Sequence, residues 1–133
     1  MTKELIIVRP DDWHLHLRDK DFLPITVNES AKSFARAIIM PNLVPPITKL
    51  IDAENYKRRI LSALKPNFSF DPLMTLYLTE ETDPKEVKEG FLSDQISAVK
   101  LYPAGATTNS QSGVQNFEKI KPTLDIMAEI GCP

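Results

Sequence analysis

Short apolar segments alternate with helix-forming stretches along the chain, and this alternation restricts the fold more than any other feature. Strand-like apolar runs occur at residues 5–8, 37–40, 70–78 and 96–101. Helical patterns follow them at residues 21–34, 52–64, from 83 onward and at 116–130. Each strand and its helix take roughly 30 residues, as a βα repeat does. The order βαβαβαβα predicts an α/β fold with a parallel sheet and crossover helices.

Several residues mark where the predicted helices begin and end. Asp83 precedes Pro84 and lies three residues before Glu86, which is the pattern of a helix start with a capping box. Gly131 favours the end of the last helix, because glycine readily adopts a left-handed backbone. Pro122 must either kink that last helix or mark its true start.

The number of βα units predicts half of a larger architecture. Four units make half of a (β/α)8 barrel, which usually takes about 250 residues. Half a barrel leaves strand edges and one strand face uncovered. We therefore expect residues 1–133 to form the N-terminal part of a single barrel domain whose C-terminal half is absent from this chain. A complete flavodoxin-like open sheet ranks second, because no glycine-rich phosphate loop follows the first strand.

Composition excludes several classes of function. The formal net charge of -2 argues against a nucleic-acid surface or a polybasic membrane patch. Cys132 is the only cysteine, so no internal disulfide forms and a cytoplasmic location is expected. The apolar runs are too short for a signal peptide or for a membrane span of roughly 20 residues.

The only two histidines, His14 and His16, follow the first apolar run and are two residues apart. On an extended backbone this spacing places both side chains on the same side. Two imidazoles that converge at the carboxyl end of a strand suit a divalent metal such as zinc, and parallel barrels carry their active sites at that end. A pair of partly buried histidines with ordinary hydrogen bonds is the alternative that the spacing leaves open.

Arg18 lies two residues beyond His16 on the same alternation, and Asn42 follows the second strand. A guanidinium group binds a carboxylate through two parallel hydrogen bonds, and a side-chain amide can add another. One interpretation is that both side chains bind the carboxylate of a substrate. The alternatives are a surface ion pair of Arg18 with Asp19 or Asp21, and an asparagine that only caps a loop between prolines.

Lys100 interrupts an otherwise apolar strand near its carboxyl end. Burial lowers the pKa of an amine, and a neutral amine can take up carbon dioxide to form a carbamate, an anionic ligand with two oxygens. The alternative is a lysine whose ammonium group reaches out of the sheet into water. Thr107 and Thr108 lie in the long loop at 102–113, which either closes over a ligand or is a mobile solvent loop.

Three segments contain all of these candidate residues. They are RPDDWHLHLRD at 9–19, MPNLVPP at 40–46 and KLYPAGATTN at 100–109. Together, in this order and spacing, they closely resemble the bacterial type of dihydroorotase in the amidohydrolase superfamily, and the resemblance covers essentially the whole chain. It implies a (β/α)8 barrel with a centre of two zinc ions.

The resemblance also implies a role for each candidate residue. The implied metal ligands are His14, His16 and a carbamylated Lys100 (N6-carboxylysine) that bridges the two zinc ions. The implied contacts to the substrate are Arg18, Asn42, Thr107 and Thr108. The implied reaction is the reversible cyclisation of N-carbamoyl-L-aspartate to L-dihydroorotate in pyrimidine (UMP) biosynthesis. The family also suggests a homodimer.

Part of the implied site is missing from this sequence. The family uses two further histidines and a proton-shuttling aspartate on later strands, so we expect the 133-residue polypeptide alone to be inactive. One alternative is another cyclic amidohydrolase, similar to hydantoinase or dihydropyrimidinase, whose substrates have no carboxylate for Arg18 and Asn42 to bind. The other is an inactive barrel fragment that serves as a structural partner, for example of aspartate transcarbamoylase.

Overall fold

The structure, a computed structural model, describes residues 3–133 and consists of short parallel strands that alternate with helices. The strands are β1 (Asp11–Leu15), β2 (Arg36–Ile39), β3 (Asp71–Leu73), β4 (Thr75–Tyr77) and β5 (Ala98–Lys100). The helices are α1 (Leu23–Ser33), α2 (Leu50–Ala63), α3 (Pro84–Leu92) and α4 (Phe117–Ile130), with a 3-10 turn at Lys20–Phe22 before α1. The predicted α/β alternation is confirmed.

The strands lie side by side in the order of the chain. β1, β2 and β3 form one parallel ladder, and β4 and β5 form a second. Only Met74 separates β3 from β4, and the Thr75 hydroxyl donates a hydrogen bond to the Ile39 carbonyl oxygen at 2.6 Å. The predicted third strand at 70–78 is therefore one strand region with an interruption at Met74. The carboxyl ends of all these strands point the same way.

The first strand lies at Asp11–Leu15, so the prediction of a buried strand at residues 5–8 is wrong. Those residues are exposed, with Ile6 at 88 % and Val8 at 92 % relative accessibility, and they belong to no strand. β1 instead pairs with β2, and an Asp11–Arg36 ion pair at 2.6 Å spans the two strands. The position of β1 along the chain is therefore set by its main-chain pairing with β2 and not by the apolar character of residues 5–8. His14 therefore lies within β1, and His16 follows its end.

The main core lies between the strands and helices α1, α2 and α3. Its fully buried members include Val27 of α1, Tyr56 and Ile60 of α2, Val87 of α3 and Leu76 of β4. A smaller apolar cluster of Leu78, Val114 and Ile120 lies under α4, which packs against α3. Each fully buried large side chain contributes about 1.5–3 kcal/mol relative to an exposed one. This packing fixes the strand ends that carry the candidate site.

The predicted start of α3 and the predicted end of α4 are confirmed, but the capping box is wrong, because the Glu86 carboxylate accepts a hydrogen bond from the Leu50 amide at 2.8 Å. The Asp83 carboxylate accepts a hydrogen bond from the Lys85 amide at 2.9 Å, and Gly131 ends α4 with a φ of 71°. α4 continues through Pro122, so this proline does not mark its start. Among residues 3–133, no helix combines the length and the apolar character needed to cross a membrane.

Candidate active site

One cavity of about 290 Å³ opens at the carboxyl ends of the strands. It is lined by His14, His16, Arg18, Asn42, Lys100, Tyr102, Thr107 and Thr108. All of the residues that were expected to bind metal or substrate therefore line the same cavity, although they come from distant parts of the chain. Tyr102 is the one lining residue that sequence reasoning did not select.

His14 and His16 point their rings at a common position. Their Nε2 atoms are 3.1 Å apart, and the ring centroids are separated by 5.1 Å. This is the distance of a hydrogen bond between the two rings. It is also close to the roughly 3.3 Å that separates two nitrogens bound to one tetrahedral zinc ion at 2.0–2.1 Å, so the pair is placed to share a metal ion. The Nδ1 atom of His16 is buried without a hydrogen-bond partner among the described residues.

The protonation of His16 also favours metal binding. Burial lowers the pKa of the His16 imidazole, and the nearby charges of Arg18 and His14 lower it further. A neutral imidazole is the form that binds a metal. Within residues 3–133, no group of three or more His, Cys, Asp or Glu side chains is placed to hold a metal ion. The donors present fit part of a metal site: two imidazoles and, if carbamylated, Lys100.

Arg18 is held in the cavity by its backbone. It has a φ of 60°, in the left-handed region that is uncommon for a residue other than glycine. The buried Tyr56 hydroxyl of α2 donates a hydrogen bond to the Arg18 carbonyl oxygen and supports this conformation. The neighbouring Asp19 carboxylate pairs with Arg59 at 2.8 Å rather than with Arg18.

Asn42 connects the end of β2 to the loop that follows β5. It is 2 % exposed, and its side-chain amide donates a hydrogen bond to the Thr108 carbonyl oxygen at 2.9 Å. The side chain of Asn109 donates in return to the Asn42 carbonyl oxygen at 3.1 Å. These contacts place Thr107 and Thr108 at the mouth of the cavity.

The loop at 102–113 has a defined internal structure. The hydroxyl of Ser110, which is fully buried, accepts a hydrogen bond from the Thr107 amide at 2.9 Å. The base is closed by main-chain hydrogen bonds between Tyr102 and Val114 and between Ala104 and Val114. This bonding differs from that expected of an unstructured solvent loop.

Lys100 and Tyr102 stand on the same side of the chain at the end of β5. Lys100 is partly buried, and its Nζ atom lies 5.9 Å from the centroid of the Tyr102 ring. That ring is stacked with Tyr77 at 4.8 Å. Burial, with a smaller contribution from Tyr77, raises the pKa of the Tyr102 phenol to about 12. The spacing of two residues from Lys100 was the sequence signal for Tyr102.

Comparison with known proteins identifies relatives of this chain in sequence and in fold. No family model matches the chain. The dihydroorotase of Ruegeria sp. (strain TM1040) is 59 % identical over 133 residues, which is 100 % of this chain and 38 % of the relative. The crystal structure of dihydroorotase from Campylobacter jejuni has a TM-score of 0.86 and 46 % identity, covering 94 % of this chain and 36 % of that chain.

The chain is homologous to the N-terminal part of dihydroorotases. The dihydroorotase of Saccharomyces cerevisiae, solved in complex with 5-fluoroorotic acid, agrees with a TM-score of 0.82 and 33 % identity, over 92 % of this chain and 34 % of that chain. The similarity to dihydroorotases and the predicted half of an amidohydrolase (β/α)8 barrel are both confirmed. The chain spans 38 % of the length of the Ruegeria dihydroorotase.

Proposed function

We propose that this chain supplies the N-terminal half of a zinc-dependent dihydroorotase site, within a single barrel domain of the full-length gene product. The reaction is the reversible cyclisation of N-carbamoyl-L-aspartate to L-dihydroorotate in pyrimidine biosynthesis. The observation that carries this proposal is the single cavity lined by two imidazoles, a guanidinium, an amide and a lysine. In the hydrolytic direction, water adds across the ring amide bond, so that the carbonyl carbon gains a hydroxyl and the nitrogen gains a proton.

His14, His16 and a carbamylated Lys100 would hold the metal in this proposal. Two zinc ions would supply Lewis-acid activation of the amide carbonyl and of water. The 3.1 Å spacing of the imidazole nitrogens supports a shared ion. The carbamate would add two anionic oxygen ligands for the metal. The described residues that line the cavity include no carboxylate that could supply such oxygens. The remaining ligands and the aspartate that moves the proton would come from outside this chain.

Arg18 and Asn42 would bind the substrate carboxylate. The Arg18 guanidinium can make two parallel hydrogen bonds, and the Asn42 amide has a second N–H besides the one donated to Thr108. The ligand of the yeast relative, 5-fluoroorotic acid, is a pyrimidine that bears a carboxylate, which supports a ligand of this class here. Thr107 and Thr108 would contact the substrate from the loop and exclude water.

The cellular setting belongs to the same proposal. We expect a cytoplasmic enzyme, because the free, buried Cys132 suits a reducing compartment. The homodimer is carried over from the resemblance to the family.

The replacement Arg18→Met in the full-length gene product tests the assignment of the substrate. Loss of a charge-assisted hydrogen-bond pair of about 1.5–3 kcal/mol should raise the KM for L-dihydroorotate roughly 10- to 100-fold. Hydrolysis of dihydrouracil, which has no carboxylate, should not become slower. Arg58→Met is the matched control, because Arg58 is an exposed residue of α2 paired with Glu54. An unchanged KM for L-dihydroorotate in Arg18→Met would favour a hydantoinase-like specificity instead.

A further inference from the structure

The hydroxyl of Tyr102 is buried but has no hydrogen-bond partner. The side chain is 5 % exposed, and no polar atom of residues 3–133 bonds to its oxygen. Buried polar groups are nearly always bonded, because leaving one without a partner is costly. Since the same side chain lines the cavity, its missing partner is expected to be a group that occupies this cavity.

The surroundings of Tyr102 favour an anion as the missing hydrogen-bond partner of its hydroxyl. The Nζ atom of Lys100 lies 5.9 Å from the ring centroid, two residues away on the same side of the chain. Apart from Lys100 itself, the charged side chain in the cavity lining is the cationic Arg18, and among the described residues the lining has no carboxylate. A phenol donates a hydrogen bond at neutral pH, and such a bond is strongest when the acceptor is charged.

We propose that Tyr102 is a positioning residue whose hydroxyl donates a hydrogen bond to the carbamate formed on Lys100. This inference rests on the proposed function, which requires that carbamate. In its formation, the neutral amine of Lys100 attacks the carbon of carbon dioxide. A nitrogen–carbon bond forms, one electron pair of a carbon–oxygen double bond moves onto oxygen, and a proton leaves to water. The product is an anion at the end of the Lys100 side chain.

The carbamate fits this role better than the substrate carboxylate. It is attached to the side chain whose end already lies beside the Tyr102 ring. Tyr77 stacks against that ring at 4.8 Å with an angle of 23° between the planes, which limits its rotation. The substrate carboxylate has its own partners in Arg18 and Asn42.

The test compares Tyr102→Phe with the wild-type full-length gene product. Each protein is stripped of metal and then reloaded with zinc in a titration of carbon-13 bicarbonate. The readouts are the NMR signal of the labelled carbamate and the zinc content per chain. Tyr77→Phe is the matched control, because it removes the hydroxyl of the stacked neighbour, which donates to the Asn109 carbonyl oxygen at 3.4 Å.

We expect Tyr102→Phe to need about tenfold more bicarbonate for half-maximal labelling, as the loss of one hydrogen bond to a charged group predicts. Saturating bicarbonate should restore both the label and the zinc, and Tyr77→Phe should follow the wild-type curve. An identical titration for Tyr102→Phe and wild type would overturn the inference while leaving the proposed function intact. No label in the wild-type protein would overturn the inference and the carbamate of the proposed function together.

Two further measurements separate this role from others. Without zinc and bicarbonate, Tyr102→Phe should unfold at the same or a higher temperature than wild type, because its hydroxyl has no partner in the protein. A clearly lower unfolding temperature would show a structural partner and contradict the proposal. A raised KM for the substrate with an unchanged bicarbonate titration would assign the hydroxyl to the substrate and also contradict it.

Discussion

The side-chain amide of Asn109 donates a hydrogen bond to the main-chain oxygen of Asn42 across 3.1 Å. Asn42 donates from its own side chain to the oxygen of Thr108 at 2.9 Å, so the two segments are bonded in both directions. The residue proposed to bind the substrate carboxylate thus also holds the loop that covers the cavity. Substrate binding and loop position should therefore be linked.

Asn109→Asp in the full-length gene product should weaken this link. The carboxylate cannot donate to the Asn42 oxygen, and the loss of one hydrogen bond of about 1 kcal/mol should raise the KM for L-dihydroorotate roughly fivefold. Asn109 has a φ of 54°, which glycine adopts without strain. Asn109→Gly therefore keeps the backbone conformation but removes the same hydrogen bond, and its KM should be raised to a similar extent as that of Asn109→Asp. Steady-state kinetics provide the check. The exposed Asn67→Asp is the control, and a wild-type KM in both Asn109 variants would refute the link.

Gly113→Ala should disrupt the base of the same loop. A Cβ atom at Gly113 would lie 2.3 Å from the Tyr102 carbonyl oxygen and 2.9 Å from the Ala104 nitrogen, and backbone atoms cannot move aside easily. We expect faster proteolysis within residues 102–113 and a raised KM. Gly105→Ala is the matched control, because its Cβ meets no atom within 4 Å and only the positive φ of 72° is strained. Equal effects of the two changes would contradict this account.

Glu80 should make stability depend on pH. Its carboxylate accepts hydrogen bonds from Lys119 at 2.8 Å and from the Asn116 amide at 2.8 Å, at the start of α4. These contacts, with Lys119 the largest contribution, lower the pKa of Glu80 in the folded state. Because the pKa of Glu80 is lower in the folded than in the unfolded protein, the charged carboxylate stabilises the fold at pH values above the ordinary carboxyl pKa. This stabilisation is lost as the pH falls through the pKa of the folded state.

The replacement Glu80→Gln measures that contribution. Urea unfolding should show a clear loss of stability at pH 7 relative to wild type, and the difference should shrink on acidification. Glu81→Gln, at the exposed neighbouring residue, should show a smaller change. If the loss of stability in Glu80→Gln were the same at pH 7 and at a pH below the ordinary carboxyl pKa, the role of the charged carboxylate would be disproved.

His14→Ala and His16→Ala should each reduce the zinc content of the full-length gene product. Each change removes one of two imidazoles whose Nε2 atoms are 3.1 Å apart. Zinc per chain, measured by elemental analysis after dialysis, should fall below that of wild type. Trp13→Phe serves as the control, since Trp13 is 62 % exposed and does not line the cavity. Full zinc content in both histidine variants would rule out the proposed ligands.

The 133-residue chain by itself should not turn over L-dihydroorotate when zinc is added. Its described residues provide two imidazoles and one lysine at the cavity but no cluster of three metal-binding acidic, cysteine or histidine side chains. A spectrophotometric assay of the isolated polypeptide provides the measurement. Measurable turnover above a His14→Ala version of the same polypeptide would refute this expectation.

Sequence reasoning located the helices well, because their signals are local. The Asp83 cap and the left-handed Gly131 act within a few residues of their own positions. The predicted first strand is wrong because apolar character does not by itself imply burial. Residues 5–8 are apolar and exposed, whereas the polar strand Asp11–Leu15 is fixed by pairing with β2, which is a long-range property.

The candidate residues could be selected from the sequence because three segments together resemble dihydroorotases, whereas each residue taken alone leaves its role open. Asn42 and Lys100 each follow or end a predicted strand, and the structure places both at one cavity. The hydrogen bonds between Asn42 and the loop could not be predicted, since they join residues 66 and 67 positions apart. The spacing of two residues between Lys100 and Tyr102 is visible in the sequence, but the burial of the Tyr102 hydroxyl without a hydrogen-bond partner is a property of the folded structure.

The most direct test of the central claim is a comparison of substrates with the zinc-loaded full-length gene product. Initial rates are measured for L-dihydroorotate, N-carbamoyl-L-aspartate and dihydrouracil under the same conditions. We predict turnover of the first two in opposite directions of one reaction, with a kcat/KM for L-dihydroorotate at least about 100-fold above that for dihydrouracil, as loss of the carboxylate contacts implies. Comparable or faster turnover of dihydrouracil would contradict the assignment of this cavity to a dihydroorotase.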